Sequence, residues 1–314
     1  MSAPLIPQEI YLLERYSSLT YFGELRDHFA AMVKAAQGAL DEFMKRIPPD
    51  YRSRAINQQP DQVWGERIIP NLQWALDGLN KAYIRISHGD LDAMGVASNV
   101  GSSFSAINRD YSWDWMPQPF FDIADAENSE AWERASNISF TALGDWLPGA
   151  LTTRYKESNR GALNAPTSWP LYRLNHQVRV KTGDKVPRNG IYLPDLDGGC
   201  AQLLIEGYEA WPAAIPDPPP DPRITSAARK HFDTIWTLVE RVADSGGGLP
   251  GAQDADAAGI RMRCESGKPC PRGGKWETPA SQDSRRLFKL GEIMPSVGGD
   301  YGKTIWQWSG ESDV

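Results

Sequence analysis

Several features that mark common classes of protein are missing from this sequence. It contains only three cysteines, Cys200, Cys264 and Cys270, and this low, odd number argues against a framework of disulfides. No stretch approaches the roughly 18 uninterrupted apolar residues of a transmembrane helix. The N-terminus lacks the basic and apolar regions of a signal peptide. From these absences we expect a cytoplasmic protein without a membrane anchor.

Positive charge is also scarce. The chain has 33 Lys and Arg against 40 Asp and Glu, a net charge of −7, which disfavours nucleic acid and anionic membranes as its main partners. One stretch, Asp110–Glu133 (DYSWDWMPQPFFDIADAENSEAWE), contains no Lys or Arg at all. Its carboxylates are Asp110, Asp114, Asp122, Asp125, Glu127, Glu130 and Glu133. The charge imbalance is therefore concentrated in one segment.

Recognisable catalytic motifs are missing as well. The sequence has no Gly-x-Ser-x-Gly, no His-Glu-x-x-His and no dinucleotide-binding fingerprint. Its 4 histidines are scattered, so none is marked as the base that a nucleophilic serine or cysteine would need. We therefore expect a protein that is not an enzyme, with no catalytic residues and no cofactor.

Two sets of residues offer metal ligands. His88, Asp90 and Asp92 in the segment SHGDLDAM supply nitrogen and oxygen atoms, although such a segment also suits an ordinary turn and helix cap. The second set is His176, Cys200, Cys264 and Cys270. It lacks the close Cys-x-x-Cys pair that is typical of structural zinc sites, so only the tertiary fold could bring these four residues together. We expect no metal site, and a metal-dependent hydrolase using the first set is kept as an alternative.

The first half of the chain has helical periodicity. Apolar residues at steps of three and four predict a long helix over residues 19–47, ended by the prolines that follow. Similar patterns predict a second helix from about Gln62 and a third from about Ser129, where the serine is a suitable N-cap. These helices predict a bundle of antiparallel hairpins in residues 1–165.

From about residue 166 the pattern becomes typical of β-strands. Short apolar runs, LYRLNHQVRV, AQLLIEGY and KTIWQW, are separated by Gly, Pro and Asn. Within this part we predict a stiff connector at 216–223, a helix at 224–243 and a flexible loop at 244–259. The whole sequence predicts an α+β protein, with a helical domain at 1–165 and a β-rich domain at 166–314.

The β-rich part contains an internal repeat, Gly-x-x-x-Pro-x-x-Gly. It occurs at Gly183–Gly190, Gly267–Gly274 and Gly291–Gly298, and the first two copies are followed by Tyr192 and Trp276. Proline fixes φ at one corner of a turn and glycine accepts positive φ at the next. The repeat therefore predicts tight turns in a scaffold of hairpins rather than a phosphate-binding loop, which would end in Lys-Ser or Lys-Thr.

The acidic stretch is also rich in aromatic residues. Exposed carboxylates would attract a cationic partner, and neighbouring rings would anchor it once docked. An equally weighted reading is that the rings close the end of the helical bundle while the carboxylates face water. On the first reading, the predicted binding residues are Asp110, Trp113, Asp114, Trp115, Asp122, Asp125 and Glu127.

The last part of the chain resembles a known family. The segments CESGKPCPRGGKWETPA (264–280) and SRRLFKLGEIMPSVGGDYGKTIWQW (284–308) carry the similarity. Their main motifs are Cys270-Pro271, Gly274-x-Trp276, Met294-Pro295 and Thr304-Ile305-Trp306-Gln307-Trp308. These segments resemble the ends of bacterial polymorphic-toxin immunity proteins, which are encoded beside type VI secretion effectors. The resemblance implies no catalytic role for these residues, and we assign Trp276 and Trp306 to the β core.

The resemblance also implies a function and a partner. It implies that the protein binds and neutralises a cognate secreted antibacterial toxin, which we expect to be a nuclease acting in the cytoplasm. An acidic inhibitor can compete with the phosphate backbone for the positive cleft of such an enzyme. The inhibitor can block the toxin's active site directly or bind another surface of the toxin, and the sequence does not distinguish these two modes. An adaptor or chaperone that loads the effector is the alternative function.

Overall fold

The structure is a computed structural model that describes residues 3–217, 228–247, 263–278, 284–297 and 303–308. The chain is 43% helical and 23% strand, with helices in the N-terminal part and antiparallel strands in the C-terminal part. The predicted α+β class is therefore confirmed. Within the described ranges, none of the helices combines the length and apolar character needed to cross a bilayer.

The chain divides into two compact units. The helical unit comprises Tyr16–Asp145 and Lys156–Gly161, and the strand unit comprises Met1–Arg15, Trp146–Tyr155 and Ala162–Val314. Helix α1 (Pro7–Tyr16) belongs to the strand unit as far as Arg15. The sequence predicted a single boundary near residue 165. The division in the structure differs from it, because Met1–Arg15 belongs to the strand unit.

Four long helices form most of the helical unit, and the short helix α6 (Glu157–Arg160) adds one turn. The four are α2 (Leu19–Met44), α3 (Ile69–Ser87), α4 (Ala97–Asp110) and α5 (Phe120–Ala142). Helix α2 starts where the side chain of Ser18 accepts a hydrogen bond from the Tyr21 N–H at 3.1 Å, and it ends before Pro48, as its apolar pattern predicts. A π-helical segment, Asp61–Ile68, leads directly into α3.

Helix α5 begins earlier than the sequence indicated. The predicted start was about Ser129, whereas the helix begins at Phe120, directly after Pro119. Exposed Asp122 and Asp125 lie in the first two turns, so those turns lack the apolar periodicity that revealed the rest of the helix. Helix α4 was missed because its Ser, Asn and Gly residues have weak helix propensity.

The strand unit contains two four-stranded antiparallel sheets. The first has the order β1 (Trp169–Lys181), β6 (Ile235–Gly247), β2 (Gly190–Pro194), β3 (Gln202–Leu204). The second has the order β7 (Arg263–Glu265), β10 (Ile305–Trp308), β8 (Gly274–Glu277), β9 (Arg286–Phe288). Strands β4 (Ala213–Asp217) and β5 (Ala228–Phe232) pair separately.

The predicted helix at 224–243 is wrong. Residues 228–232 form β5 and residues 235–243 form most of β6, because Trp236 and Leu238 are buried in the core of the strand unit and the β-branched residues beside them favour a strand. The connector predicted at 216–223 begins within β4 and the loop predicted at 244–259 begins within β6. The remainder of both segments lies outside the described residues.

The two sheets are copies of one β module. Gly183 and Gly267 occupy equivalent positions, 84 residues apart (267 minus 183). The Gly183 N–H donates to the Ala210 carbonyl at 2.9 Å, and the Gly267 N–H donates to the Met294 carbonyl at 2.8 Å. The same offset relates the β2–β3 register to the β8–β9 register, residue for residue. We call residues 179–213 with 234–238 the first module, and residues 263–297 with 303–308 the second module.

The cores of the two modules correspond as well. In the first, Val180, Val186, Tyr192, Leu204, Ala210 and Trp236 are buried together. Their equivalents in the second are Cys264, Cys270, Trp276, Phe288, Met294 and Trp306. The prediction that Trp276 and Trp306 are core residues is confirmed, since both are fully buried. Cys264 and Cys270 therefore serve as small apolar side chains in this core.

The third copy of the glycine-proline repeat is not a separate hairpin. Gly291 is the equivalent of Gly207 in the first module. Two residues after Gly291, Ile293 forms an isolated antiparallel β-bridge with Pro269, which lies two residues after Gly267. The repeat found in the sequence therefore marks turns inside a larger duplicated unit.

Candidate functional site

The acidic stretch Asp110–Glu133 runs through the end of α4, the turn 111–119 and the first half of α5. From Tyr111 to Glu133, only Met116, Ala124 and Ala131 are buried, so the segment as a whole lies at the surface of the helical unit. Asp110 is the last residue of α4, and its side chain is outside the described part of the structure.

The two tryptophans of the turn, Trp113 and Trp115, pack against Trp64, a buried residue of the π-helical segment Asp61–Ile68. Trp113 meets Trp64 edge to face with ring centroids 5.0 Å apart, and Trp115 lies 5.5 Å from the same ring. Trp115 also meets Phe43 of α2 at 6.0 Å. The Trp64 indole N–H donates to the Ser112 carbonyl at 3.3 Å. These contacts fix the two half-buried rings of the turn, because Trp64 itself is only 1% exposed.

A cleft of about 250 Å³ opens beside these rings. Trp64 and Trp115 line it together with Asp114 and Tyr111. The Asp114 carboxylate accepts a hydrogen bond from the Ser112 hydroxyl at 2.6 Å and remains exposed. The cleft therefore combines aromatic walls with a negative charge.

A longer, mostly apolar groove of about 730 Å³ lies between α2, α3 and the start of α5. Gly38 forms part of its floor, and a β-carbon there would come within 2.6 Å of the Phe120 ring. Glycine at this position therefore lets Phe120 lie against α2. On the rim, Ile123 has 46% of its surface exposed, which gives the acidic stretch an apolar contact residue that the sequence did not single out.

The predicted binding carboxylates fall into two groups. Asp114, Asp122 and Asp125 are exposed, and none of them forms an ion pair with a residue that the structure describes. Glu127 instead lies 2.7 Å from the Nδ1 atom of His28 on α2, with both side chains about 30% exposed. Glu127 therefore helps to join α2 and α5, and its charge is the least accessible of the four.

We call Trp113, Asp114, Trp115, Asp122, Ile123 and Asp125 the acidic aromatic surface. Further along α5, Glu130 pairs with Arg134 at 2.5 Å, and Arg134 also bonds to Glu24 of α2 at 3.1 Å. The unpaired negative charge is therefore concentrated at the beginning of the helix. The rings of Trp113 and Trp115 pack on the bundle while the nearby carboxylates face water, as the second reading of the sequence predicts. Binding of a cationic partner, the first reading, stays a prediction.

The candidate metal ligands are arranged differently from a metal site. Asp90 accepts a hydrogen bond from Arg85 at 2.8 Å, and Asp92 lies 3.6 Å from the same guanidinium. His88 caps the end of α3. All three cysteines are free and buried. In the described ranges, no group of three His, Cys, Asp or Glu residues is placed to hold an ion.

The residues that carry the family resemblance have structural roles where the structure describes them. Cys270, Trp276, Met294 and Trp306 fill the core of the second module, and the Trp306 indole N–H donates to the Pro295 carbonyl at 2.7 Å. These four residues therefore belong to the core of the second module.

Comparisons of the chain with protein-family models, with curated proteins and with solved structures found no match.

Proposed function

We propose that this protein binds and neutralises a cognate secreted antibacterial toxin through its acidic aromatic surface. In this proposal the toxin is a nuclease delivered by type VI secretion, and the inhibitor acts in the cytoplasm of the cell that makes it. The proposal draws on the family resemblance and on one observation, the exposed carboxylates of Asp114, Asp122 and Asp125, of which Asp114 lies in the cleft lined by Trp64 and Trp115.

This combination suits a protein that captures a basic partner. Nucleases that act on DNA need a positively charged cleft, because each phosphate of the substrate carries a negative charge. Exposed carboxylates raise the rate of association with such a surface, and their effect falls as salt increases. Rings that are already held in place lose little conformational entropy on docking, so they are suitable anchors.

The proposal can be tested by co-expressing the protein with the product of the adjacent gene in a bacterial host that has no secretion apparatus. We expect growth to be restored when both are present. Binding without rescue would favour the adaptor alternative and contradict neutralisation.

A charge variant tests the contact surface. Changing Asp122 and Asp125 to Asn should weaken binding to the same gene product by about tenfold at low salt and flatten the salt dependence of its association rate. The matched control, Asp184→Asn with Glu206→Gln, removes two exposed charges from the first β module and should leave both quantities unchanged. Equal behaviour of the two double variants would contradict the assignment of the surface.

A further inference from the structure

The cleft beside Trp115 is lined by aromatic rings that are partly exposed. Trp115 and Tyr111 are both half-buried and both belong to the lining. Trp64 is 1% exposed and holds Trp115 in place, with ring centroids 5.5 Å apart, whereas Trp113 lies outside the lining. The rings of Trp115 and Tyr111 are therefore the aromatic surfaces that a ligand in this cleft contacts.

The same cleft carries a carboxylate with spare capacity. The Oδ2 atom of Asp114 accepts the Ser112 hydroxyl, and the Asp114 N–H donates back to that hydroxyl at 3.1 Å. This closed pair of bonds holds the side chain at the cleft and leaves Oδ1 available to a donor. The lining residues Asn57 and Gln58 add uncharged amides, so Asp114 is the charged group of the lining.

The walls and the size of the cleft narrow the class of ligand. Trp115 and Tyr111 supply half-buried aromatic rings, and a planar guanidinium stacks on such rings while its N–H groups bond a carboxylate. The volume of about 250 Å³ is that of one large side chain rather than of a cofactor. A lysine ammonium would satisfy the charge but would not stack in the same way.

We propose that this cleft is a specific pocket for one arginine residue of the partner. The guanidinium bonds the Asp114 carboxylate and stacks on the half-buried ring of Trp115. The pocket rests on the proposed function for the identity of the partner. Its chemistry can be tested without that partner.

The direct test uses N-acetyl-arginine N-methylamide as the probe and follows the indole N–H resonances of the tryptophans by NMR. We expect the Trp115 indole resonance to shift on titration with a millimolar Kd, because the guanidinium stacks on its ring. The citrulline analogue has nearly the same shape without the charge, and it should bind at least tenfold more weakly. The lysine analogue should also bind more weakly than arginine.

Two variants locate the effect. Asp114→Asn should weaken arginine binding at least fivefold, and Trp115→Phe should weaken it severalfold because the smaller ring of phenylalanine attracts a cation less strongly than that of tryptophan. The matched controls are Asp184→Asn on the first β module and Trp74→Phe at an exposed tryptophan of α3, and neither should change the Kd. If citrulline binds as well as arginine, or if Asp114→Asn has no effect, the pocket is not an arginine site.

Probe binding and co-expression test the arginine pocket and the proposed function separately. If the pocket binds arginine and co-expression gives no protection, the pocket stands and the proposed function fails. If co-expression protects the cells equally with wild type and with Asp114→Asn, while the probe does not bind, the function stands and the pocket is wrong.

Discussion

Single residues show where sequence reasoning about the surface was incomplete. Glu127 was predicted to bind a partner, yet its carboxylate lies 2.7 Å from His28, a pairing between two helices that no local pattern reveals. Ile123 was not singled out, although 46% of its surface is exposed beside the groove. Periodicity could not identify it, because the start of α5 itself was misplaced.

One buried acid gives a prediction at the residue scale. Glu9 of α1 is 3% exposed and accepts a hydrogen bond from the Ala201 N–H at 2.8 Å, both within the strand unit. Burial raises its pKa from 4.5 to about 7, against a smaller opposing effect of that hydrogen bond. Between pH 4.5 and about pH 7, Glu9 is therefore protonated in the folded protein and ionised in the unfolded chain.

The sign of the resulting pH dependence follows from linkage. The raised pKa means that the contribution of Glu9 to stability is complete below about pH 4.5, decreases as the pH rises, and levels off above about pH 7. The total change is on the order of 3 kcal/mol. Glu9→Gln should remove this slope in urea unfolding measured from pH 5 to pH 8, while exposed Glu206→Gln should retain it. A wild-type stability that rises over this range would contradict the assignment.

At the scale of elements, the sequence revealed turns but not the unit to which they belong. The glycine-proline repeat predicted hairpins, and Gly183 and Gly267 do occupy turns with φ of +85° and +80°. The repeat could not show that 84 residues separate two complete modules (267 minus 183). Most equivalent core positions carry different residues, such as Val186 and Cys270, so only backbone pairing exposes the duplication.

The duplicated turns should respond alike to substitution. Gly183→Ala and Gly267→Ala should each lower the free energy of unfolding by about 1 kcal/mol, because an L side chain at positive φ is strained. Neither new methyl group meets an atom within 4 Å, so crowding adds nothing. Gly95→Ala, which is equally uncrowded and without positive φ, is the control and should cost nothing. Unequal losses at the two turns by denaturant titration would contradict their equivalence.

For the whole molecule, the aromatic residues divide between two tasks. Trp236, Trp276 and Trp306 are buried in the module cores, whereas Trp113 and Trp115 belong to the acidic aromatic surface of the other unit. Of these, Trp276 and Trp306 belong to the segments that carry the family resemblance.

Emptying a module core should destabilise the protein. Trp276→Ala or Trp306→Ala removes a fully buried side chain and should cost about 3–5 kcal/mol, seen as a clearly lower melting temperature. Trp74→Ala is the control, since 72% of Trp74 is exposed, and its melting temperature should match that of the wild type. An unchanged melting curve for Trp306→Ala would show that the second module does not contribute to the cooperative fold.

The sequence by itself determined that helices occupy the N-terminal part and strands the C-terminal part, the position of α2 and the acidic, aromatic character of Asp110–Glu133. These depend on periodicity, proline and local composition, which act between near neighbours in the chain. Tertiary structure alone decided that 228–232 and 235–243 form strands, that Glu127 pairs with His28 and that no described residue accepts a hydrogen bond from the Trp115 indole. Each of these depends on contacts between residues far apart in the chain, and the energy of such contacts exceeds the weak preferences of a local segment.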